Sequence, residues 1–170
     1  MKVETNRLII QKFSLKHMKD FRDIIKDFNN SKYVAYDRPF PKSDKEIELL
    51  AEKFSNNDLF FEVVLKDTSK MIGYVCFYNN QNDFDIGYCF HSCYSKKGYA
   101  FESCSALIKW IEDNCHVHKF TAGTAIENKP SVNLLIKLGF NLVNTEKISF
   151  QKDSSGNDIV FNGGNFELCL

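Results

Sequence analysis

The sequence predicts a mixed α/β domain: a central, mostly antiparallel sheet of about seven strands flanked by about four helices, in the order β-α-α-β-β-β-α-β-α-β-β. Three observations predict it. Three strand-like apolar runs stand close together in mid-chain, separated by short polar connections that suit antiparallel hairpins. Four other segments repeat apolar residues at helical spacing, with recognisable starts or stops. No linker, repeat or low-complexity tract interrupts the chain, so one domain over residues 1–170 is expected.

Residues 7–13, RLIIQKF, read as the first strand. Ser14 stands where a cap would open a helix whose stripe is Met18, Phe21, Ile25 and Phe28. After the loop YVAYDRPFPK, Ser43 and Glu46 match a capping box ahead of Ile47, Leu50, Ala51 and Phe54. The strands LFFEVVLKD (59–67), MIGYVCFY (71–78) and FDIGYCF (84–90) follow, joined by DTSK and NNQND. YSKKGYAFES (94–103) then leads into a helix with Ala100, Cys104, Leu107, Ile108 and Ile111 on one face. FTAGTAIE (120–127) reads as a strand. A short helix comes next, with Pro130 in its first turn and Gly139 just past its end. Strands at about 140–151 and 158–170, joined by DSSGND, complete the order.

Composition narrows the function classes. Hydrophobic residues make up 44% and charged residues 26%, as in an ordinary soluble globular protein. Lys+Arg and Asp+Glu both number 22, so the chain has no cationic excess with which to hold a nucleic acid. A local basic pocket for a small phosphate compound is still compatible with that balance. The N-terminus MKVETNRLII has no apolar leader core, and no apolar run approaches the ~18 residues of a membrane span. A cytoplasmic protein without membrane contact is therefore expected. Its six cysteines (76, 89, 93, 104, 115 and 169) read as reduced thiols, mostly small apolar residues.

The strand-to-helix junction YSKKGYAFES is a candidate anion cradle. The first amides of a helix lack intrahelical partners, and the helix dipole adds positive potential there. A phosphate or pyrophosphate satisfies such donors. Gly98 would let a ligand approach the backbone, and Lys96 and Lys97 would bring charge to the loop mouth. The same glycine could serve only as a turn. In ENKPSVNLLIKLGF (127–140), the stripe Leu134, Leu135 and Leu138 extends back by helical spacing to Ser131, which places a hydroxyl at the open end of a buried face near Asn128. Both are either local caps or a hydrogen-bonding pair at the mouth of a groove.

Together these segments resemble the GNAT superfamily of N-acetyltransferases. GYCFHSCYSKKGYAFES (87–103) resembles its coenzyme A motif, where a strand ends in a splay and a Q/R-x-x-G-x-G/A loop opens a helix. Asn128-x-x-Ser131-x-x-Leu134-Leu135-x-x-x-Gly139-Phe140 resembles its second motif. The opening Thr5-Asn6-Arg7-Leu8-Ile9-Ile10 is similar to the branch containing the ribosomal-protein N-terminal (alanine/serine) acetyltransferases. The resemblance implies a splayed sheet and coenzyme binding. There are departures: Ser95 stands where Q/R is usual, Lys96 where glycine is common, and Ser92 where proline is frequent. Leu135 occupies the place of a tyrosine thought to protonate the leaving thiolate, and Ser131 is the implied substitute.

Carried over by that resemblance, Ser95, Lys96, Lys97, Gly98, Tyr99, Ala100 and Phe101 form the coenzyme loop, with the amides from Lys96 to Phe101 on the pyrophosphate. The Phe90 main chain would bind the pantetheine or thioester carbonyl. Asn128 would touch the pantetheine arm, and Ser131 would lie near sulfur. The implied reaction is attack of a primary amine on acetyl-CoA, a co-substrate used without a metal. Asp85 and Glu62, on central strands, are candidate carboxylates for the amine, with Asp85 first as base; Asp85 could equally be a solvent-facing strand residue or a lysine's partner. Tyr36, Asp37 and Tyr88 are candidate acceptor-site residues, the first two beside Tyr33 and Phe40 in a loop that could instead pack the helices. Cys89, His91 and Cys93 alternate, yet no paired C-x-x-C spacing accompanies them, so no metal site is expected. The expected partner is an amine, either a protein N-terminal α-amine or a small molecule. The alternative is a non-catalytic acyl-CoA sensor of the same fold. The chain is expected to be a monomer or a homodimer, with FELCL read as an edge strand able to pair with a second copy.

Overall fold

The computed structural model describes residues 1–80 and 83–170. The elements are β1 (Lys2–Glu4), β2 (Leu8–Lys12), α1 (Met18–Asn29), α2 (Asp44–Ser55), β3 (Phe60–Leu65), β4 (Met71–Asn80), β5 (Asp83–Phe90), α3 (Tyr99–Cys115), β6 (Lys119–Ala125), α4 (Lys129–Lys137), β7 (Asn141–Lys152) and β8 (Asp158–Cys169). Single 3₁₀ turns occur at Leu15–His17, Val34–Tyr36 and Ser92–Tyr94. The sheet order is β1-β2-β3-β4-β5-β6-β8-β7, and only β5 and β6 run parallel. Among the described residues this is a mixed, open, mostly antiparallel sheet with four α-helices, as expected.

Alternation along the strands builds two cores, one on each face of the sheet. Phe61, Val63, Leu65, Val75 and Phe77 pack against Cys104, Leu107, Ile108 and Ile111 of α3 and Leu135 of α4. Phe60, Val64, Tyr74, Cys76 and Cys89 pack against Phe21, Ile24 and Ile25 of α1 and Ile47, Ala51 and Phe54 of α2. With helices on both sides, β3 is buried at every position, which explains its unbroken apolar run.

Several sequence expectations are adjusted. The sheet gains β1, whose KVE has no apolar run and forms a strand only by pairing with β2. The capping box of α2 is present, Ser43 Oγ accepting from Glu46 N and Glu46 accepting from Ser43 N. Ser14, expected as the cap of α1, caps nothing; its hydroxyl lies 3.4 Å from both carboxylate oxygens of Glu62 instead. In the expected connection NNQND, Asn79, Asn80 and Asp83 belong to the strands, whereas Gln81 and Asn82 lie outside the described residues. FELCL is not an edge: β8 is paired with β6 on one side and β7 on the other, so the edges are β1 and β7. Among the described residues no helix is long and apolar enough to cross a membrane.

Candidate active site

The sheet opens between its two parallel strands. β5 and β6 are matched only at Phe84↔Phe120 and Asp85↔Thr121, and beyond them they part. On its other side β5 stays paired with β4 as far as Gly73↔Phe90, and His91 N donates to Ile72 O at 3.0 Å. Bonded and non-bonded pairs alternate in an antiparallel ladder. Since the 72/91 pair is bonded, the main-chain groups of Phe90 and Tyr88 face away from β4, into the opening. A wedge lined with unpaired peptide groups results.

At its wide end stands the YSKKGYAFES junction. Ser95 N donates to Ser92 O at 3.0 Å, so its amide is spent. Lys97 N closes a turn over Ser95 and Lys96; the amides of Lys96 and of Gly98 to Phe101 hydrogen-bond to no described residue, and the next bond in the chain is Glu102 N to Gly98 O at 3.0 Å. Gly98 caps α3 with φ 83°, and Lys96 also has positive φ, at 61°. Lys96 thus keeps the left-handed backbone expected of the glycine it replaces, with the strain that a side chain brings there. Five free donors, at 96 and 98–101, with left-handed residues at 96 and 98, form an anion-binding concavity. An acyl-CoA diphosphate is a suitable occupant by charge and by donor number.

The loop is braced from two sides. Asp27, near the end of α1, accepts from Ser92 N and Ser92 Oγ at 2.8 and 2.7 Å. Arg7 donates to Lys97 O at 2.9 Å and pairs with Glu102, while its guanidinium lies 4.3 Å from the Tyr99 ring centre. Thr5 Oγ1 adds a 2.6 Å bond to Glu102. Desolvation raises the Glu102 pKa, but the bonds from Thr5 and Arg7 outweigh it and hold the carboxyl below its ordinary value. The role of Arg7 and Thr5 was visible in the sequence only as a resemblance of the opening segment.

On the β6 side of the wedge, beyond the end of that strand, Asn128 caps α4, its Oδ1 accepting from Ser131 N at 3.4 Å, and Ser131 Oγ lies 2.8 Å from Tyr88 Oη. Burial pushes the Tyr88 phenol far up, against the lowering effect of the Ser131 bond. Leu135 is buried in the core.

A cavity of about 370 Å³ joins this region to the opposite face of the sheet. Its walls include Phe28, Tyr33, Tyr36, Phe150 and Phe161, with Asp37 as the carboxylate and Gly123 on the floor. Tyr36 and Phe161 meet edge-on at 5.5 Å. Gln151 Nε2 donates to Val34 O and Asp37 O, tying the final hairpin to the 31–41 loop. Burial raises the Asp37 pKa, partly opposed by Arg38 N at 2.7 Å. The sequence pointed to Tyr36 and Asp37; Phe150, Phe161 and Gly123 come from strands whose order in the sheet it did not reveal.

Asp85 sits where the strands part, accepting from Thr121 Oγ1 at 3.0 Å, and its pKa is raised by desolvation, with the threonine bond opposing. Glu62 departs from expectation. It is fully buried and accepts from Gln11 at 2.6 Å, with His17 Nδ1 at 3.2 Å and Ser14 at 3.4 Å, and it lines no part of the groove. The pattern of one carboxylate in an apolar strand had suggested chemistry; its donors make it a structural anchor. Cys89, His91 and Cys93 do not converge: Cys89 is in the core, Cys93 is exposed, and His91 Nδ1 accepts from Cys93 N.

Comparison with known proteins agrees with this geometry. Residues 7–141 match the acetyltransferase (GNAT) domain family, and the chain belongs to that family. It is accordingly an acyltransferase enzyme. It is 29% identical over 141 residues to the uncharacterized N-acetyltransferase YnaD of Bacillus subtilis (strain 168), covering 82% of each chain. A shorter stretch of 73 residues is 34% identical to the ribosomal protein uS5 alanine N-acetyltransferase of Escherichia coli (strain K12), covering 38% of this chain and 35% of that one. In three dimensions, a GNAT-family acetyltransferase from Bacillus anthracis superposes with a TM-score of 0.83 over 99% of this chain and 98% of the other, at 23% identity.

Proposed function

We propose that residues 1–170 form one N-acetyltransferase domain, which transfers the acetyl group of acetyl-CoA to a primary amine by direct attack in a ternary complex. The observation that carries this reading is the set of unpartnered amides at 96 and 98–101, beside a wedge of unpaired main chain. The amides of Lys96, Gly98, Tyr99, Ala100 and Phe101 hold the pyrophosphate. The Phe90 main chain takes the thioester carbonyl and stabilises the oxyanion, since its N–H faces the opening before any ligand arrives. Asn128 lies against the pantetheine arm. Holding both substrates in one groove supplies the proximity contribution.

The amine enters from the aromatic side, past Tyr36 and Asp37, and the carboxylate of Asp37 meets its positive charge. Asp85 accepts the proton as the amine becomes nucleophilic, through solvent in the wedge. An α-amine needs about 1.4 kcal/mol to lose its proton at pH 7, whereas a lysine needs about 4–5. A single modest base therefore suits a peptide N-terminus or another amine of lowered pKa. The leaving thiolate is met by Ser131. That one relative is named a ribosomal protein uS5 alanine N-acetyltransferase supports the peptide reading, and the six unpaired cysteines support a cytoplasmic setting.

Calorimetry with CoA, followed by thiol release from acetyl-CoA across a panel of peptides, polyamines, aminoglycosides and amino acids, tests the proposal. Binding of CoA with release driven by at least one amine is the expected result. Indifference to CoA would overturn the cradle, and binding without release would overturn the reaction.

A further inference from the structure

We propose that Tyr88 is a positioning residue that aims the Ser131 hydroxyl at the coenzyme sulfur; the inference rests on the transferase reading above. Tyr88 reaches from β5 to the first turn of α4, and among the described residues its Oη has two hydrogen-bond partners: Ser131 Oγ at 2.8 Å and Ser131 O at 3.4 Å. A carbonyl oxygen only accepts, so both partners draw the phenol hydrogen toward Ser131. With Tyr88 donating, Ser131 Oγ is the acceptor of that bond, and its own hydrogen is left free to point elsewhere.

A serine in a helix ordinarily spends that hydrogen on the preceding turn. Ser103 in α3 does so, donating to Tyr99 O at 2.9 Å and Ala100 O at 3.2 Å. Ser131 makes no such bond among the described residues. The carbonyl one turn back, Glu127 O, already accepts from Lys129 N at 2.9 Å. Ser131 lines the groove together with Tyr88 and Asn128, so its free hydrogen has the groove to point into. Two hydroxyls in series thus form a polarised donor chain on the β6 side of the wedge.

The chemistry asks for a donor, not a strong acid. A thiol has an ordinary pKa near 8.5, so a thiolate leaving at pH 7 is only about two units from neutral. A hydrogen bond to sulfur is enough to stabilise it as the C–S bond breaks and the electron pair settles there. The thiolate then takes its proton from solvent, into which the ammonium has released two. Burial keeps Tyr88 neutral into the alkaline range, so it stays a donor throughout.

The test measures kcat and acetyl-CoA KM for wild type, Tyr88→Phe, Ser131→Ala and the double variant, with CoA affinity by calorimetry. Tyr88→Phe keeps the ring and its packing. It should lower kcat roughly tenfold, the effect of one lost hydrogen bond, with KM and CoA affinity within about twofold of wild type. Ser131→Ala should lose at least as much, and the double variant should be no slower than Ser131→Ala alone. Ser131→Thr, which retains the hydroxyl, should keep the sensitivity to Tyr88→Phe. If the two losses multiply in the double variant, or Tyr88→Phe turns over at the wild-type rate, the positioning role is overturned and the transferase reading stands. If wild type releases no thiol with any amine, both fall together.

Discussion

Replacing Gly98 by alanine separates the cradle from the rest of the fold. Gly98 has φ 83°, where a non-glycine residue costs about 1–2 kcal/mol. Alanine recovers about 0.4–1 kcal/mol by stiffening the unfolded chain, which leaves a net loss near 1 kcal/mol. For a chain of this size, that lowers Tm by about 2–4 °C. The new Cβ would sit 3.4 Å from Arg7 Nη2, an ordinary contact, so the penalty comes from the positive φ and not from crowding. Relieving the strain therefore means rotating the peptide planes beside residue 98, which turns one amide away from the diphosphate. A hydrogen bond to a charged group is worth about 1.5–3 kcal/mol, so CoA should bind roughly 10- to 100-fold more weakly. Gly98→Glu, which adds bulk and negative charge, should abolish binding. Gly123→Ala is the control: nothing lies within 4 Å of its Cβ site and its φ is not positive. Its Tm should hold or rise slightly and its CoA affinity should stay at the wild-type value. Calorimetry with CoA and a thermal melt read both quantities. A Gly98→Ala protein that melts earlier yet binds CoA like wild type would refute the reasoning, because the strain would then be unrelated to the donors.

Asp85→Asn should slow acetylation most above the raised Asp85 pKa, where the wild-type carboxylate is ionised, and flatten the acid limb of the rate profile, which a pH series of kcat checks. Because burial raises the folded pKa of Asp85 above 3.8, wild-type stability declines as pH rises from that value through the raised one; the Asn variant should therefore melt slightly higher at neutral pH. Arg7→Gln should weaken CoA binding several-fold by calorimetry, with a Tm loss of a few degrees, since a half-exposed ion pair contributes no more than about 1 kcal/mol. The Glu102 carboxyl, held below 4.5, contributes stability that is present above that value and lost as pH falls through the depressed one; Glu102→Gln should reduce this acid dependence in melts. Glu62→Ala leaves three half-buried partners, Gln11, Ser14 and His17, unmatched and should cost about 3 kcal/mol, read as a Tm drop of roughly 6–12 °C. Its KM values should be unchanged, and a KM shift would return Glu62 to the groove.

The sequence displayed what local pattern controls. The apolar runs of β3 and β4, the Ser43–Glu46 box and the Pro130–Gly139 bounds are consequences of neighbouring residues, and each stands where expected. Contacts between distant segments were not legible. Ser14 has the right type and place for a helix cap, but a buried carboxylate 48 residues away makes a stronger claim on it. FELCL looked like an edge because chain order ends there, whereas strand order inserts β8 between β6 and β7. For the site, the glycine loop showed itself through residue type, while the pairing of Tyr88 with Ser131 depends on where β5 and β6 diverge. No spacing rule predicts that point.

The bracing of the 92–102 loop explains why a departure at Lys96 is tolerable. A left-handed lysine costs roughly 1–2 kcal/mol, and an unbraced loop would relax it by closing the concavity. Asp27 fixes the loop at Ser92 and Arg7 fixes it at Lys97, so Lys96 is held between two anchors that originate in different layers of the fold. The ordering cost is met during folding, and a diphosphate meets amides that already converge. Asp27 also adjoins Phe28, a wall of the aromatic cavity, so one helix end sets both the coenzyme loop and the acceptor side. Asp27→Ala should accordingly raise KM for acetyl-CoA and for the amine together, whereas Arg7→Gln should raise only the first. Steady-state kinetics with both substrates varied distinguishes the two, and equal effects from the two variants would show that the anchors act only on global stability.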